Sequence, residues 1–115
     1  MSYMLLIIEP LGQRATRTDA EGRALYDKMV AFGQSLQARG LLAGVQSLAT
    51  ASTRVQVRAG KPITRDGPFA ESKEMVGGFF LLNCDSRAQA LAIATECPAA
   101  EWATVEVREF GPCFL

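Results

Sequence analysis

Residues 66–74 read DGPFAESKE, and residues 77–82, shortly after them, read GGFFLL. Proline fixes its own φ and disfavours a helical conformation in the residue before it, so Gly67-Pro68 predicts a bend. Asp66 is a residue type whose carboxylate often accepts hydrogen bonds from backbone N–H groups in turns. The apolar run predicts a buried strand, and its paired glycines predict a bulge or a close backbone approach. The stretch therefore predicts a rigid turn that leads into a sheet.

A β-α-β pattern lies on each side of this turn. Before it, residues 3–8 and 41–48 are predicted strands, and the helix between them begins with a capping box of Thr18 and Glu21 and ends at a Gly40 C-cap. After it, residues 76–83 and 103–110 are predicted strands around a second helix, capped by Asp85-Ser86 with Gln89 in a second box and stopped by Cys97-Pro98. The apolar positions predicted for the first helix are Leu25, Tyr26, Met29, Val30, Phe32, Gly33 and Leu36, and those for the second are Ala88, Leu91, Ala92 and Thr95.

Two further strands are predicted between the two units. Residues 53–58 alternate, with Val55 and Val57 on one face and arginines on the other, and residues 62–65 follow a tight turn as the second arm of a hairpin. The whole order predicts an α+β fold, a ferredoxin-like split β-α-β sandwich with an inserted hairpin. Its antiparallel sheet is covered by two helices on one face. The other face, with Phe79, Leu81 and Val105-type positions, is expected to be partly apolar and to meet solvent or a partner.

The motif DGPFAESKE followed by GGFFLL resembles the signature of the DGPF-type branch of the YCII-related domain family. The members of this family are small bacterial proteins. The resemblance extends over nearly the whole chain, through YMLLI, LQARGLLAGVQSL, STRVQVRAGKPITRDGPF, ECPAA and TVEVREF. It implies a single domain over residues 1–115, a dimeric α/β barrel and therefore a homodimer. Members of the wider family carry a His and Asp pair proposed for acid–base chemistry, which this chain cannot reproduce because it has no histidine.

Composition excludes several classes of function. Twelve basic and twelve acidic residues balance, and no basic block stands out, so direct nucleic-acid or membrane partners are not expected. No apolar run approaches the ~20 residues that span a bilayer, so a cytoplasmic protein is expected. Three widely spaced cysteines without histidine argue against disulfides and a zinc site, with Cys113 the most accessible. No metal or other cofactor is expected.

The remaining candidates for chemistry are carboxylates and arginines. Burial raises the pKa of a carboxyl group and so makes it a better base near neutral pH. Asp66 is the predicted catalytic residue, with Glu71 and Glu74 as other carboxylates, and Arg65 is predicted to bind an anion with Arg54 or Arg58 as a second cation. The predicted ligand-binding residues are Arg65, Gly67, Pro68, Phe69, Glu71 and Tyr26. Tyr26 or Trp102 is a candidate to stack on a ring or to donate a hydrogen bond. Each of these residues also has a structural interpretation: a solvated turn, the polar face of a strand, helix core for Tyr26, and packing at a strand start for Trp102.

Three classes of function stay open at this point. The first is a protein that binds a small organic molecule, anionic or cyclic, in a cleft near the DGPF loop, with acid–base chemistry of the isomerase or lyase type. The second, implied by the resemblance, is a non-enzymatic accessory or regulatory protein with a protein partner, associated with sigma factors. The third is a structural dimer without a pocket.

Overall fold

A computed structural model describes residues 2–69 and 71–114. Eight longer elements follow one another along the chain, with 3₁₀ turns at Gln13–Thr16 and Pro98–Glu101: β1 (Ser2–Pro10), α1 (Asp19–Ala38), β2 (Leu42–Ser47), β3 (Thr53–Arg58), β4 (Lys61–Asp66), β5 (Glu74–Asn83), α2 (Arg87–Glu96) and β6 (Thr104–Glu109). Four strands form one antiparallel sheet in the order β2-β5-β1-β6, and β3 and β4 form a separate two-stranded sheet. This architecture confirms the predicted ferredoxin-like α+β fold.

The sheet has one covered and one uncovered face. Along β1, Tyr3, Leu5 and Ile7 are buried against the helices, whereas the residues between them are half-buried on the opposite face. Residues directly opposite one another in an antiparallel pair share a face. Val105 lies opposite Ile7 and packs against the core, so the prediction that it belongs to the uncovered face is wrong. The uncovered face carries Met4, Leu6, Ile8, Phe79 and Leu81.

Helix α1 begins as predicted. Thr18 Oγ1 accepts from the backbone N–H of Glu21, and the Glu21 carboxylate accepts from the backbone N–H of Thr18, which completes the capping box. These hydrogen bonds hold the pKa of Glu21 below its usual range. At the other end Arg39 is the C-cap residue, and Gly40 follows it with φ +72°, a left-handed conformation that glycine adopts without strain. Gly40 was predicted to be the C-cap residue itself, but in the structure it is the residue that follows the C-cap.

Helix α2 buries a different face from the predicted one. Its buried residues are Ala90, Ile93 and Ala94, whereas Leu91 is exposed. Alanines occur on all sides of this helix, so periodicity does not distinguish its faces, and the burial of Ile93 decides the orientation. The second box also differs from prediction, because Gln89 Oε1 accepts from the backbone N–H of Asp85 while Ser86 caps the helix.

The β3–β4 hairpin, which we call the ribbon (residues 53–66), stands apart from this body. All its residues are exposed, and the radius of gyration of the chain is 16.1 Å. A compact domain of this length has a radius of gyration of about 13 Å. The excess reflects a ribbon that projects from the sheet. Within the described residues, no helix has the length and apolar character needed to cross a membrane.

The burial of Leu36 on α1 can be tested by mutation. Leu36 is fully buried between α1 and the sheet, so Leu36→Ala should lower the free energy of unfolding by about 2–5 kcal/mol. Leu91→Ala makes the same change at an exposed helical position and should cost less than about 1 kcal/mol. Urea denaturation followed by circular dichroism measures both. Equal losses in the two variants would contradict this assignment of the core.

Candidate functional site

The DGPF loop is anchored to the protein through Phe69. The Gly67–Pro68 peptide is cis, and the backbone N–H of Gly67 donates to the carbonyl oxygen of Ser52 at 2.6 Å. The Phe69 side chain is only 6% exposed, as expected for an apolar anchor. The loop is therefore held in place where the ribbon joins the rest of the chain. Its residues Pro68 and Phe69, together with Arg54, line a pocket of about 510 Å³.

Two arginines lie over the Phe69 ring, and a glutamate contacts both of them. The guanidinium carbon of Arg54 lies 3.6 Å from the ring centroid, and that of Arg65 lies 5.2 Å away. Arg65 Nη2 donates to Glu71 Oε1 at 3.1 Å, and Arg54 Nη1 is 4.0 Å from the same oxygen. A hydrogen bond from its own backbone N–H and the contacts with these arginines lower the pKa of Glu71. The structure thus brings together four of the candidate residues, Arg54, Arg65, Phe69 and Glu71. Both arginines already contact the Glu71 carboxylate.

Asp66 lies at the end of β4, beside this cluster. Its side chain is exposed, and its carboxylate accepts a hydrogen bond from Thr53 Oγ1 at 2.8 Å. The hypothesis that Asp66 is a general base required partial burial, which the single chain does not provide. A catalytic role for Asp66 therefore stays a prediction. Arg58, the other predicted cation, lies at the far end of β3.

Tyr26 is separated from the DGPF loop. It lies on α1 and is 58% exposed, so the interpretation of Tyr26 as helix core is wrong. Its side chain lines a cleft of about 910 Å³ between α1 and the sheet. Trp102, which follows the second 3₁₀ turn, lines the same cleft and also packs against the core. The volume is within the range of about 300–1,000 Å³ that is typical of pockets for small molecules.

The polar end of this cleft is built on Glu9, the buried carboxylate of β1. Arg14 Nε donates to Glu9 Oε1 at 2.7 Å, and Arg14 Nη2 lies 3.3 Å from Oε2. The same guanidinium donates to the carbonyl oxygens of Leu48 at 2.7 Å and of Gly77 at 3.2 Å. A carboxylate is stable in a buried place when it is paired and hydrogen-bonded in this way. The Arg14 guanidinium therefore donates to groups of its own chain. The Glu9 carboxylate, which lines the cleft, can accept further hydrogen bonds from a ligand.

Gly77 makes room for this ion pair. The pairing of β1 with β5 shifts register between Ile7 and Ile8, which lie opposite Gly78 and Val76, so Gly77 is the extra residue of a β-bulge. A Cβ atom on Gly77 would collide with Glu9 Oε2, and one on Gly78 would lie 2.8 Å from the carbonyl oxygen of Gln46. The predictions of a bulge and of a close approach are both confirmed.

Two more arginines line the cleft near the start of α1. Arg23 Nε is paired with Asp19 at 2.9 Å, and both side chains are exposed. Arg17 lies directly before the helix and, within the part of the chain that the structure describes, has no carboxylate oxygen within 4.0 Å. Among the described cations of the cleft, Arg17 is thus the one without an ion pair, and its positive charge also helps to lower the pKa of the nearby Glu21 carboxyl.

Sequence reasoning missed Glu9, Arg14 and Arg17. A signal for Glu9 was present, because it continues the alternation of the buried residues Tyr3, Leu5 and Ile7. An acidic residue at an inward position of a strand indicates a paired or functional carboxylate. No comparable pattern marks Arg14 or Arg17, which follow a glycine-containing turn.

The cysteines and acidic residues that the structure describes form no metal site. Over residues 2–69 and 71–114, no group of three His, Cys, Asp or Glu residues is placed to hold a metal ion. Cys84 and Cys97 are free and buried, and Cys113 is free and exposed, as predicted. Burial raises the pKa of the Cys97 thiol, which makes it a poor nucleophile.

The fit of Gly77 against the ion pair can be tested directly. Gly77→Ala should lower the free energy of unfolding by about 1–3 kcal/mol, because the added methyl group displaces the Glu9 carboxylate. Gly22→Ala is the matched control on α1: its Cβ would meet nothing within 4 Å, so it should be neutral or stabilising by up to ~1 kcal/mol. In a Glu9→Ala background the cost of Gly77→Ala should fall. A cost that is independent of Glu9 would contradict the steric account.

Two comparisons with known proteins bear on identity. An uncharacterised protein of Rhizobium meliloti (strain 1021) is 42% identical to this chain over 55 residues, which make up 48% of this chain and 44% of that protein. The alignment therefore spans less than half of this relative. The family model of the YCII-related domain matches residues 1–112. The DGPF-type branch within the family stays a prediction. Because the family model covers nearly the whole chain, this protein belongs to the family of proteins with a YCII-related domain.

Proposed function

We propose that this protein binds a small organic acid with an apolar or cyclic skeleton in the cleft between α1 and the sheet. The observation that supports this most directly is the composition of the cleft: about 910 Å³ of space whose lining includes the buried Glu9 carboxylate, held by Arg14, and a separate arginine, Arg17. Ligand pockets typically combine apolar walls with a few fixed polar groups. The side chains that form the apolar walls are Ile7, Leu25, Met29, Val30, Phe80 and Trp102.

The charges of the cleft orient such a ligand. The acid group is expected at Arg17, because the Glu9 carboxylate repels a second carboxylate and Arg17 is the described arginine of the cleft without a paired carboxylate. A hydroxyl or amine on the ligand then donates to the free acceptor sites of Glu9. Tyr26 and Trp102 lie on the same cleft and provide aromatic surface for a ring.

The alternative is a ligand site at the DGPF loop. Acid–base chemistry by Asp66, with Arg65 orienting an anionic group, requires that Asp66 be buried by something outside the single chain. The described lining of the α1 cleft includes no residue of the DGPF loop. Glu9 is therefore the carboxylate that is already desolvated and directed to a cleft, and we place ligand binding at Glu9 and Arg17 rather than at Asp66.

A homodimer is the second part of the proposal. The uncovered face of the sheet presents Met4, Leu6, Ile8, Phe79 and Leu81, which are half-buried. An antiparallel sheet can leave one face to water when that face is polar, but an apolar face is stabilised by a second layer. We propose that two copies pack these faces together.

A thermal-shift screen of small organic acids tests the binding proposal. A ligand present at about 100 times its Kd stabilises the native state by about 2.7 kcal/mol and raises the melting temperature. Arg17→Gln should weaken binding of such a ligand by about tenfold or more, since it removes a charge-assisted hydrogen bond. Lys28→Gln is the matched control, because it removes the same charge from α1 at an exposed position outside the cleft.

The same screen includes Asp66→Asn. A ligand whose affinity falls with Asp66→Asn and not with Arg17→Gln would move the site to the DGPF loop. No stabilising acid at all would contradict the binding proposal and favour the accessory protein with a protein partner.

A further inference from the structure

We propose that the cleft between α1 and the sheet takes a straight-chain organic acid, with its carboxylate at Arg17 and its hydrocarbon chain laid along α1. This rests on the binding of an organic acid proposed above and specifies that ligand as an extended chain and not a compact ring. Three features of the cleft support it: its length, the placement of its charges at one end, and the apolar walls between its ends.

The cleft follows α1 for most of the length of the helix. The helical residues that line it recur every three or four positions from Gly22 to Gln37, which keeps them on one face. A helix rises about 1.5 Å per residue, so this face extends over about 22 Å. The opposite wall includes β2 from Leu42 to Ser47, an extended length of about 16 Å. A ligand built on a single ring would contact only part of a cleft of this length.

The two walls run in opposite directions, so their ends correspond. The backbone N–H of Leu41 donates to the carbonyl oxygen of Leu36, which places the last turn of α1 beside the start of β2. At the other end, Ser47 lies opposite Gly78, next to the glycine whose carbonyl oxygen accepts from Arg14. The Glu9–Arg14 pair therefore lies at the end of the cleft where α1 begins.

Charge is confined to this end of the cleft. The charged residues of the described lining number three arginines and two carboxylates, which gives a formal net charge of +1: Glu9, Arg14, Arg17, Asp19 and Arg23. The opposite end, formed by the last turns of α1, is lined by the uncharged amides of Gln34 and Gln37. One surplus positive charge at one end matches a ligand with a single carboxylate head.

The walls between the two ends are apolar. Helix α1 contributes Leu25, Met29 and Val30, and the sheet contributes Val45 and Phe80, which lie opposite one another in the pairing of β2 with β5. Val30 and Val45 are 39% and 42% exposed. A hydrocarbon chain along this part of the cleft would remove their apolar surface from water, which favours binding in proportion to the area covered.

A series of straight-chain carboxylates from butanoate to hexadecanoate, each kept below its critical micelle concentration, tests the chain. The Kd measured by isothermal titration calorimetry should fall by about two- to fourfold for each added methylene group until the chain fills the cleft. Arg17→Gln should raise the Kd of every member by a similar factor, because it acts on the carboxylate head and not on the chain.

A variant that obstructs the middle of the cleft locates the chain. Val30→Trp should leave the Kd of the shortest acids nearly unchanged and raise that of the longest by about tenfold or more, since the larger side chain occupies their path. Ala31→Trp is the matched control, because it adds the same side chain at the next position of α1, which is exposed and outside the described lining. Far-ultraviolet circular dichroism checks that both variants are folded.

The outcomes separate the extended ligand from the site itself. A length limit that shortens in Val30→Trp and not in Ala31→Trp would support the inference. Acids that bind through Arg17 with a Kd independent of chain length would overturn it and leave the proposed binding of an organic acid intact. A dependence on chain length that Val30→Trp leaves unchanged would also overturn it, because the chain would then lie outside this cleft. No binding by any acid, straight or cyclic, would overturn both proposals.

Discussion

The ion pair of Glu9 and Arg14 is the interaction on which the architecture of the cleft depends. Burying a carboxylate costs free energy unless a cation and further hydrogen bonds compensate for the lost water. Here one guanidinium contacts both carboxylate oxygens and donates to the carbonyl oxygens of Leu48 and Gly77. Four segments of the chain therefore meet at one side chain: the end of β1, the first 3₁₀ turn, the residue after β2 and the bulge of β5. The pair places a buried charged group in the lining of the cleft.

The rest of the molecule follows from how a split β-α-β sandwich covers its sheet. Two helices lie on one face, and the other face remains partly apolar. The inserted ribbon extends the chain beyond that sheet and is exposed along both of its strands. The homodimer proposed above would cover the partly apolar face of the sheet. The cleft, by contrast, is formed within one chain, so the proposed ligand binding does not depend on the proposed dimer.

Local chemistry explains which parts could be predicted from the sequence. Turns and caps depend on neighbouring residues, and for this reason the capping box of Thr18 and the bulge at Gly77 were predicted correctly. The buried face of α2 could not be predicted, since alanines surround Ile93 and tertiary packing alone distinguishes its sides. The partnership of Glu9 with Arg14 was also out of reach, because it depends on a turn whose direction the pattern of apolar residues does not determine.

A double-mutant cycle between Glu9 and Arg14 tests the central claim most directly. Glu9→Gln and Arg14→Met should each lower the free energy of unfolding by about 2–4 kcal/mol, because each leaves a partner group unpaired. The Arg14 side chain is partly exposed, so solvent screening places the expected coupling energy at about 1–2 kcal/mol. The account predicts that the double variant loses less stability than the two single losses together. Additivity within ~0.3 kcal/mol would contradict it, because the two groups would then act independently.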